Sequence, residues 1–153
     1  MRKALILFAI MLIGAAANAV AQSGDEEAVR VPLENYIKAH ATGDPEYARK
    51  AFHTEGFMAW IREGKYSAEP FDAFIKRAFT GKPAADEEKR RNGRKIESID
   101  VAGNAASAKI VLDYPTVRFI DYMTLLKING DWKIVSKVFY AEPKLEQRTG
   151  RNQ

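Results

Sequence analysis

The sequence predicts a single α+β domain, helices first and a meander of antiparallel strands after them. Three observations carry this. Apolar residues recur at intervals of three and four from Val29 to His40 and again from Phe71 to Phe79. The interval changes to two after Lys95. Asn129-Gly130 then stands between two apolar runs, and both residues tolerate the positive φ of a two-residue hairpin turn. No internal repeat and no second composition regime interrupts residues 29–143, which read as one folded unit.

The start of the chain reads as a targeting segment. Basic Met1-Arg2-Lys3 precedes an apolar run from Ala4 to Ile13 and then a stretch of small residues, the order of a secretory signal peptide over residues 1–21. The cleavage box is Ala19-Val20-Ala21, with Ala17-Asn18-Ala19 as the alternative. The apolar run is shorter than the ~20 residues of a bilayer span, so no membrane association is expected once the signal is removed. Cleavage after Ala21 would leave 132 of the 153 residues. It would also remove Arg2 and Lys3, so 24 basic residues become 22 against 20 acidic ones, and the formal charge drops from +4 to +2. The basic balance is therefore largely a targeting feature, not a nucleic-acid signature. With no cysteine, disulfides, thiolate metal sites and cysteine nucleophiles are excluded. The expected location is periplasmic or secreted.

Residues 22–28 are polar and acidic and read as a flexible leader. Val29, Leu33, Tyr36, Ile37 and His40 mark one face of a first helix, closed by Gly43. Asp44-Pro45 supplies a cap and a first-turn proline for a second helix that runs to about Phe52. Phe57 to Tyr66 reads as a strand or an irregular hairpin arm, and Pro70 opens a third helix bearing Phe71, Phe74, Ile75, Ala78 and Phe79. Residues 82–95 are charged, nearly free of large apolar side chains and read as a mobile loop. Four strands follow, Ile96–Val101, Ala105–Tyr114, Val117–Ile128 and Trp132–Tyr140, and residues 144–153 read as a disordered tail.

The Asn129-Gly130 turn fixes a register. Strict two-residue pairing puts Leu126 opposite Lys133, Thr124 opposite Val135, Tyr122 opposite Lys137 and Ile120 opposite Phe139, all on one face. The other face takes Met123, Leu125, Trp132, Ile134 and Val138, a contiguous apolar patch. Neither face is polar, so both need cover. The helices are expected to cover one, and a homodimer through the sheet to cover the patch, since a two-fold axis makes it its own partner; the alternative is that segment 82–95 or the C-terminal tail folds over it.

Several constellations are excluded. His40 and His53 have no third ligand type at metal spacing, so no metal site is expected, and no phosphate loop, dinucleotide glycine pattern or Ser-His-Asp order implies a cofactor or a serine nucleophile. The basic run from Lys89 to Lys95 abuts Glu87 and Glu88 and has no interleaved aromatic residue, so no nucleic-acid partner is expected. Lys137, on a face turned toward the helices, must pair, deprotonate or look into a wet cavity. A nucleophilic role would require strong desolvation.

The segments LENYIKAHATGD, DPEYARKAFHTEGF and FIDYMTLLKINGDWKIVSKVFY resemble the nuclear transport factor two-like (SnoaL-like) superfamily, and within it the putative lumazine-binding family, from Val29 to Pro143. The resemblance implies a cone-shaped, curved antiparallel sheet wrapped around three N-terminal helices, with a mouth that holds a small molecule, and commonly a dimer through the sheet. Aligned to ketosteroid isomerase on the same fold, that enzyme's tyrosine falls on Tyr36, its aspartate base on or beside Trp60, and its protonated aspartate on Thr124. Asp121 falls on the opposite face of the strand. Without base or acidic donor, ketosteroid isomerisation is not expected.

The resulting expectation is an exported, dimeric, non-catalytic module binding a small hydrophobic or amphipathic molecule through Tyr36, Trp60, Tyr122, Thr124, Lys137 and Phe139. The alternatives are a cyclase, isomerase or dehydratase using Lys137 and Tyr36, and an interaction module whose cone is filled by its own side chains.

Overall fold

A computed structural model describes residues 24–144; the expected signal peptide and the tail beyond Lys144 lie outside the described residues. Helix α1 spans residues 24–42, and α2 spans Pro45–Ala51. Strands β1 (Phe52–Arg62) and β2 (Lys65–Pro70) form a hairpin before helix α3 (Phe71–Ala78). Two helices therefore precede the first strand and the third follows the hairpin, as the strand-like run before Pro70 implied. A short helix α4 (Glu87–Arg90) and a 3-10 turn (Arg91–Gly93) lead into β3 (Arg94–Ala102), β4 (Ala105–Asp113), β5 (Val117–Ile128) and β6 (Asp131–Pro143). This is the α+β domain the pattern of elements implied, in the cone form that the family resemblance implied.

The six strands make one sheet in the order β2-β1-β6-β5-β4-β3. Its meander is antiparallel, as the two-residue spacing requires, but β1 runs parallel to β6. The chain crosses from one sheet edge to the other between β2 and β3. The first and last strands thus meet inside the sheet without a hairpin to set their relative direction.

The acidic leader is helical from residue 24, where Asp25 helps to hold the N-terminus of α1 and its carboxylate pairs with Lys127 of β5 at 2.9 Å. The charged segment 82–95 is likewise held in place. Its anchor is Arg94, whose guanidinium donates to both Glu87 carboxylate oxygens at 2.7 and 2.5 Å, to the Tyr114 hydroxyl at 3.2 Å and to the His40 carbonyl at 3.3 Å. With its side chain 3% exposed, this arginine replaces the apolar anchors the segment lacks.

One core cluster joins Val29, Leu33 and Tyr36 of α1 to Ile110, Met123, Leu125 and Ile134 of the sheet. Burial of each such aliphatic side chain contributes about 1.5–3 kcal/mol.

The β5–β6 hairpin begins in the expected register, with Ile128 opposite Asp131, Leu126 opposite Lys133 and Leu125 opposite Ile134. Thr124 then pairs with Ser136, and Val135 is left over as a bulge. A one-residue slip turns every later side chain to the other face. Beyond it Met123 faces Lys137, Tyr122 faces Val138 and Asp121 faces Phe139. Gly56 of β1 makes room at this point, for a Cβ there would come within 2.6 Å of both the Val135 carbonyl oxygen and the Phe71 ring.

The slip corrects the expected faces. Met123, Leu125, Trp132 and Ile134 lie beneath the helices at 0–5% exposure and cannot form an outer patch. Of the five residues assigned to a dimer interface only Val138 faces outward. Tyr122 and Thr124 face outward with it, the Thr124 and Ser136 hydroxyls bonding to each other. Strict pairing gave two mixed faces because it joined the inner half of one face to the outer half of the other.

Candidate functional site

A cavity of about 510 Å³ opens between α1, α3 and the inner face of the sheet, a size suited to a small molecule. Trp60 stacks on Phe139 along its wall, ring centres 5.4 Å apart and planes 28° from parallel. These rings line the cone and do not plug it, which counts against an interaction module with a filled interior.

The base of the cavity is polar. Tyr36 of α1 donates its hydroxyl to Asp121 Oδ2 of β5 at 2.6 Å, and Lys137 Nζ of β6 donates to the Tyr36 oxygen at 3.1 Å. Lys137 and Asp121 form an ion pair at 3.4 Å, with side chains 5% and 1% exposed. The bulge at Val135 makes this possible, because it turns Lys137 onto the face that carries Asp121. Three rings surround the ammonium, those of Phe139, Phe74 and Tyr36, with centres 4.8, 5.1 and 5.2 Å from Nζ.

Three buried polar atoms of cavity-lining residues, Asp121 Oδ1, His40 Nε2 and Trp60 Nε1, have no hydrogen-bond partner among the described residues. Buried polar atoms are ordinarily paired, so their concentration around one cavity marks it as a place built for polar contact.

Burial raises the Tyr36 hydroxyl well above the usual tyrosine range, and the neighbouring Asp121 charge raises it further. Tyr36 is thus a neutral donor. His40 is half-buried as a residue, packed edge-on to Tyr36 and Phe79. Desolvation holds it well below the ordinary histidine value of 6.5, with Lys137, Arg94 and Arg90 adding to the effect. A histidine kept neutral in the fold but free to charge when unfolded contributes stability that is fully present above the unfolded value and is lost as pH falls through it. The urea midpoint is therefore expected to decline as pH is lowered from about 6.5 toward 5, and His40→Gln to flatten that segment. An unchanged slope in the variant would show that His40 titrates freely.

Of the six residues expected to line a pocket, Tyr36, Trp60, Lys137 and Phe139 border the cavity, whereas Tyr122 and Thr124 do not. The bulge accounts for both exceptions. Asp121, His40 and Arg62 also border it and were not among the expected six. A signal for Asp121 was present: it is the one carboxylate in a row with Phe119, Met123 and Leu125, and strict pairing had turned that row outward. His40 carried a signal too, since it shares the apolar face of the first helix with Leu33 and Tyr36, but it was weighed only as a metal ligand.

Comparison with known proteins places this geometry. The model of the family described as putative lumazine-binding matches residues 24–140. The chain belongs to this family. The matched span includes every cavity-lining residue except Ala141. Similar solved structures share the nuclear transport factor two-like fold. One, an NTF2-like protein of unknown function from Shewanella baltica OS155, is 26% identical with a TM-score of 0.68, over 80% of this chain and 97% of that one. Another, an NTF2-like protein of unknown function from Methylobacillus flagellatus KT, is 26% identical with a TM-score of 0.66, over 78% and 93%. The chain is also 26% identical over 128 residues to aldolase FrzH of Cladobotryum sp, covering 80% of this chain and 95% of that protein.

Proposed function

We propose that this member of the putative lumazine-binding family binds a small, flat, carbonyl-bearing molecule in the cone. The polar end of the molecule meets Lys137, Asp121 and Tyr36, and its body lies against Trp60 and Phe139. The carrying observation is the buried Asp121–Lys137 pair bridged by Tyr36 at the base of an otherwise aromatic cavity. Burying two charges costs desolvation that apolar side chains of similar size would not incur. The pair is a poor device for stability and a good one for recognising a carbonyl, to which the ammonium can donate.

The protein does this after export, as the basic, apolar and small-residue order of residues 1–21 supports. It works as a dimer whose second copy covers the outer face of β5 and β6, where Tyr122, Leu126, Val138 and Tyr140 are 41–60% exposed. Native mass spectrometry of the exported protein tests the three parts together. The expected species starts near Gln22, has the mass of two chains and retains a small molecule or takes up 6,7-dimethyllumazine. A monomer starting at Met1 that takes up neither would overturn the reading.

Asp121 Oδ1 favours a second reading, a carbonyl acid–base enzyme of the aldol type. A partnerless carboxylate oxygen is placed to accept a proton from carbon, and similarity to a protein named aldolase supports the same chemistry. On this reading a bound ketone exchanges its α-protons with deuterated solvent, and Asp121→Asn stops the exchange while binding stays within a few-fold. Exchange that survives the substitution removes Asp121 from the chemistry.

A further inference from the structure

We infer that the mouth of the cavity recognises a negative charge through Arg62, so that the ligand class is a flat aromatic carboxylate with a carbonyl at its opposite end. This rests on the binding reading above and adds the chemistry of the outer end.

At the base, charge closes on itself. Lys137 and Asp121 neutralise one another, Tyr36 keeps its proton and His40 is uncharged. A carboxylate placed there would meet the Asp121 charge without a spare cation. A neutral carbonyl suits the base, and an anion does not.

The mouth is different. Arg62, the last residue of β1, borders the cavity with its guanidinium carbon 5.8 Å from the centre of the Trp60 ring. It forms no ion pair among the described residues, and Glu63, beside it in the turn, does not engage it. Its partner across the hairpin is Lys65, a second cation. Like charges directly opposite one another weaken a hairpin, so this pairing works against the fold unless an anion lies beside it. Arg77, the other arginine at the cavity, is already engaged by both Glu69 oxygens at 3.2 and 2.6 Å. Arg62 is therefore the cation at this site still able to take a carboxylate, and its planar fork suits one in bidentate fashion. The stacked Trp60–Phe139 wall leads from that fork toward Lys137, so a flat ring lying along it would carry a carboxylate at one end and a carbonyl at the other.

Isothermal titration of the mature protein with 6-acetyl-2-naphthoate, its methyl ester and 2-acetylnaphthalene tests this. The carboxylate is expected to bind about tenfold tighter than either neutral probe, near the lower end of what a charge-assisted hydrogen bond contributes, because Arg62 is exposed. Added salt should erode that advantage and leave the neutral probes alone. Arg62→Gln should equalise all three, with the affinity for 2-acetylnaphthalene unchanged within twofold, and Arg62→Lys should keep only part of the gain. Equal affinities in the wild type, or a gain that survives Arg62→Gln, would overturn the inference while leaving the binding reading intact. No binding of any probe would overturn both.

Discussion

Lys137→Met is expected to lower the free energy of unfolding by about 3–5 kcal/mol, and adding Asp121→Leu to restore most of that loss. The asymmetry follows from where the two charges sit. Removing the amine leaves a carboxylate at 0% exposure without a counter-charge, and an uncompensated buried charge is among the costliest single defects a core can carry. Removing both charges takes away the desolvation cost with them. The Tyr36 hydroxyl, now without the acceptor it holds at 2.6 Å, should retain a residual penalty of about 1–3 kcal/mol. Tyr36→Phe in the same background should remove it. Urea unfolding of the single, double and triple variants reads the whole series. If Lys137→Met costs less than about 1 kcal/mol, the amine is well solvated and the base of the cavity is not closed as described. The fully apolar triple variant, stable but unable to take up 6,7-dimethyllumazine, would separate the fold's requirements from the ligand's.

The elements of this fold were legible because each rests on local physics. Gly43 and Asn129-Gly130 punctuate the chain through left-handed backbones that few other residues adopt, Asp44 through its cap on the Glu46 amide and Pro45 and Pro70 through their fixed φ, and the structure places element boundaries at each. The inward orientation of Lys137 was reached through a register that holds only as far as Leu125. Val135 is the reason. A bulge is set by what packs across the sheet, here Gly56 and the Phe71 ring some eighty and sixty residues earlier in the chain, and no two-residue period contains that information. The consequence ran through the whole site, concealing Asp121 and exchanging Tyr122 and Thr124 for it. One symptom was visible in the sequence: two faces that were both mixed, which a bulge explains as well as a second covering layer does. Segment 82–95 was misread for a different reason. Low hydrophobicity argues for mobility only when no buried ion pair replaces the missing apolar anchor, and a pair such as Arg94–Glu87 joins side chains that composition alone treats as solvated.

Gly43→Ala is expected to be far more damaging than Gly64→Ala, although both glycines have left-handed backbones, with φ of +70° and +75°. At Gly64 a new Cβ meets nothing within 4 Å, so the cost is the conformational one alone, about 1–2 kcal/mol. At Gly43 the same Cβ would lie 1.8 Å from the carbonyl oxygen and 2.3 Å from the carbonyl carbon of Lys82. Those are backbone atoms and cannot swing aside. Either the corner between α1 and α2 or the segment after α3 must move, and both are tied there by the hydrogen bond from the Gly81 amide to the Gly43 carbonyl at 2.8 Å. The cost should exceed the Gly64→Ala loss by about 2 kcal/mol or more, in the range of other strained or overpacked core changes. The damage should also reach the site, because the turn that Gly43 closes carries His40, and the His40 carbonyl is one of the atoms that Arg94 holds. Gly43→Ala should therefore weaken ligand uptake as well as stability, whereas Gly64→Ala should change stability alone. Comparable losses in the two variants would mean that the Lys82 backbone yields readily, and that this corner does not fix the C-terminal end of α1 against the cavity.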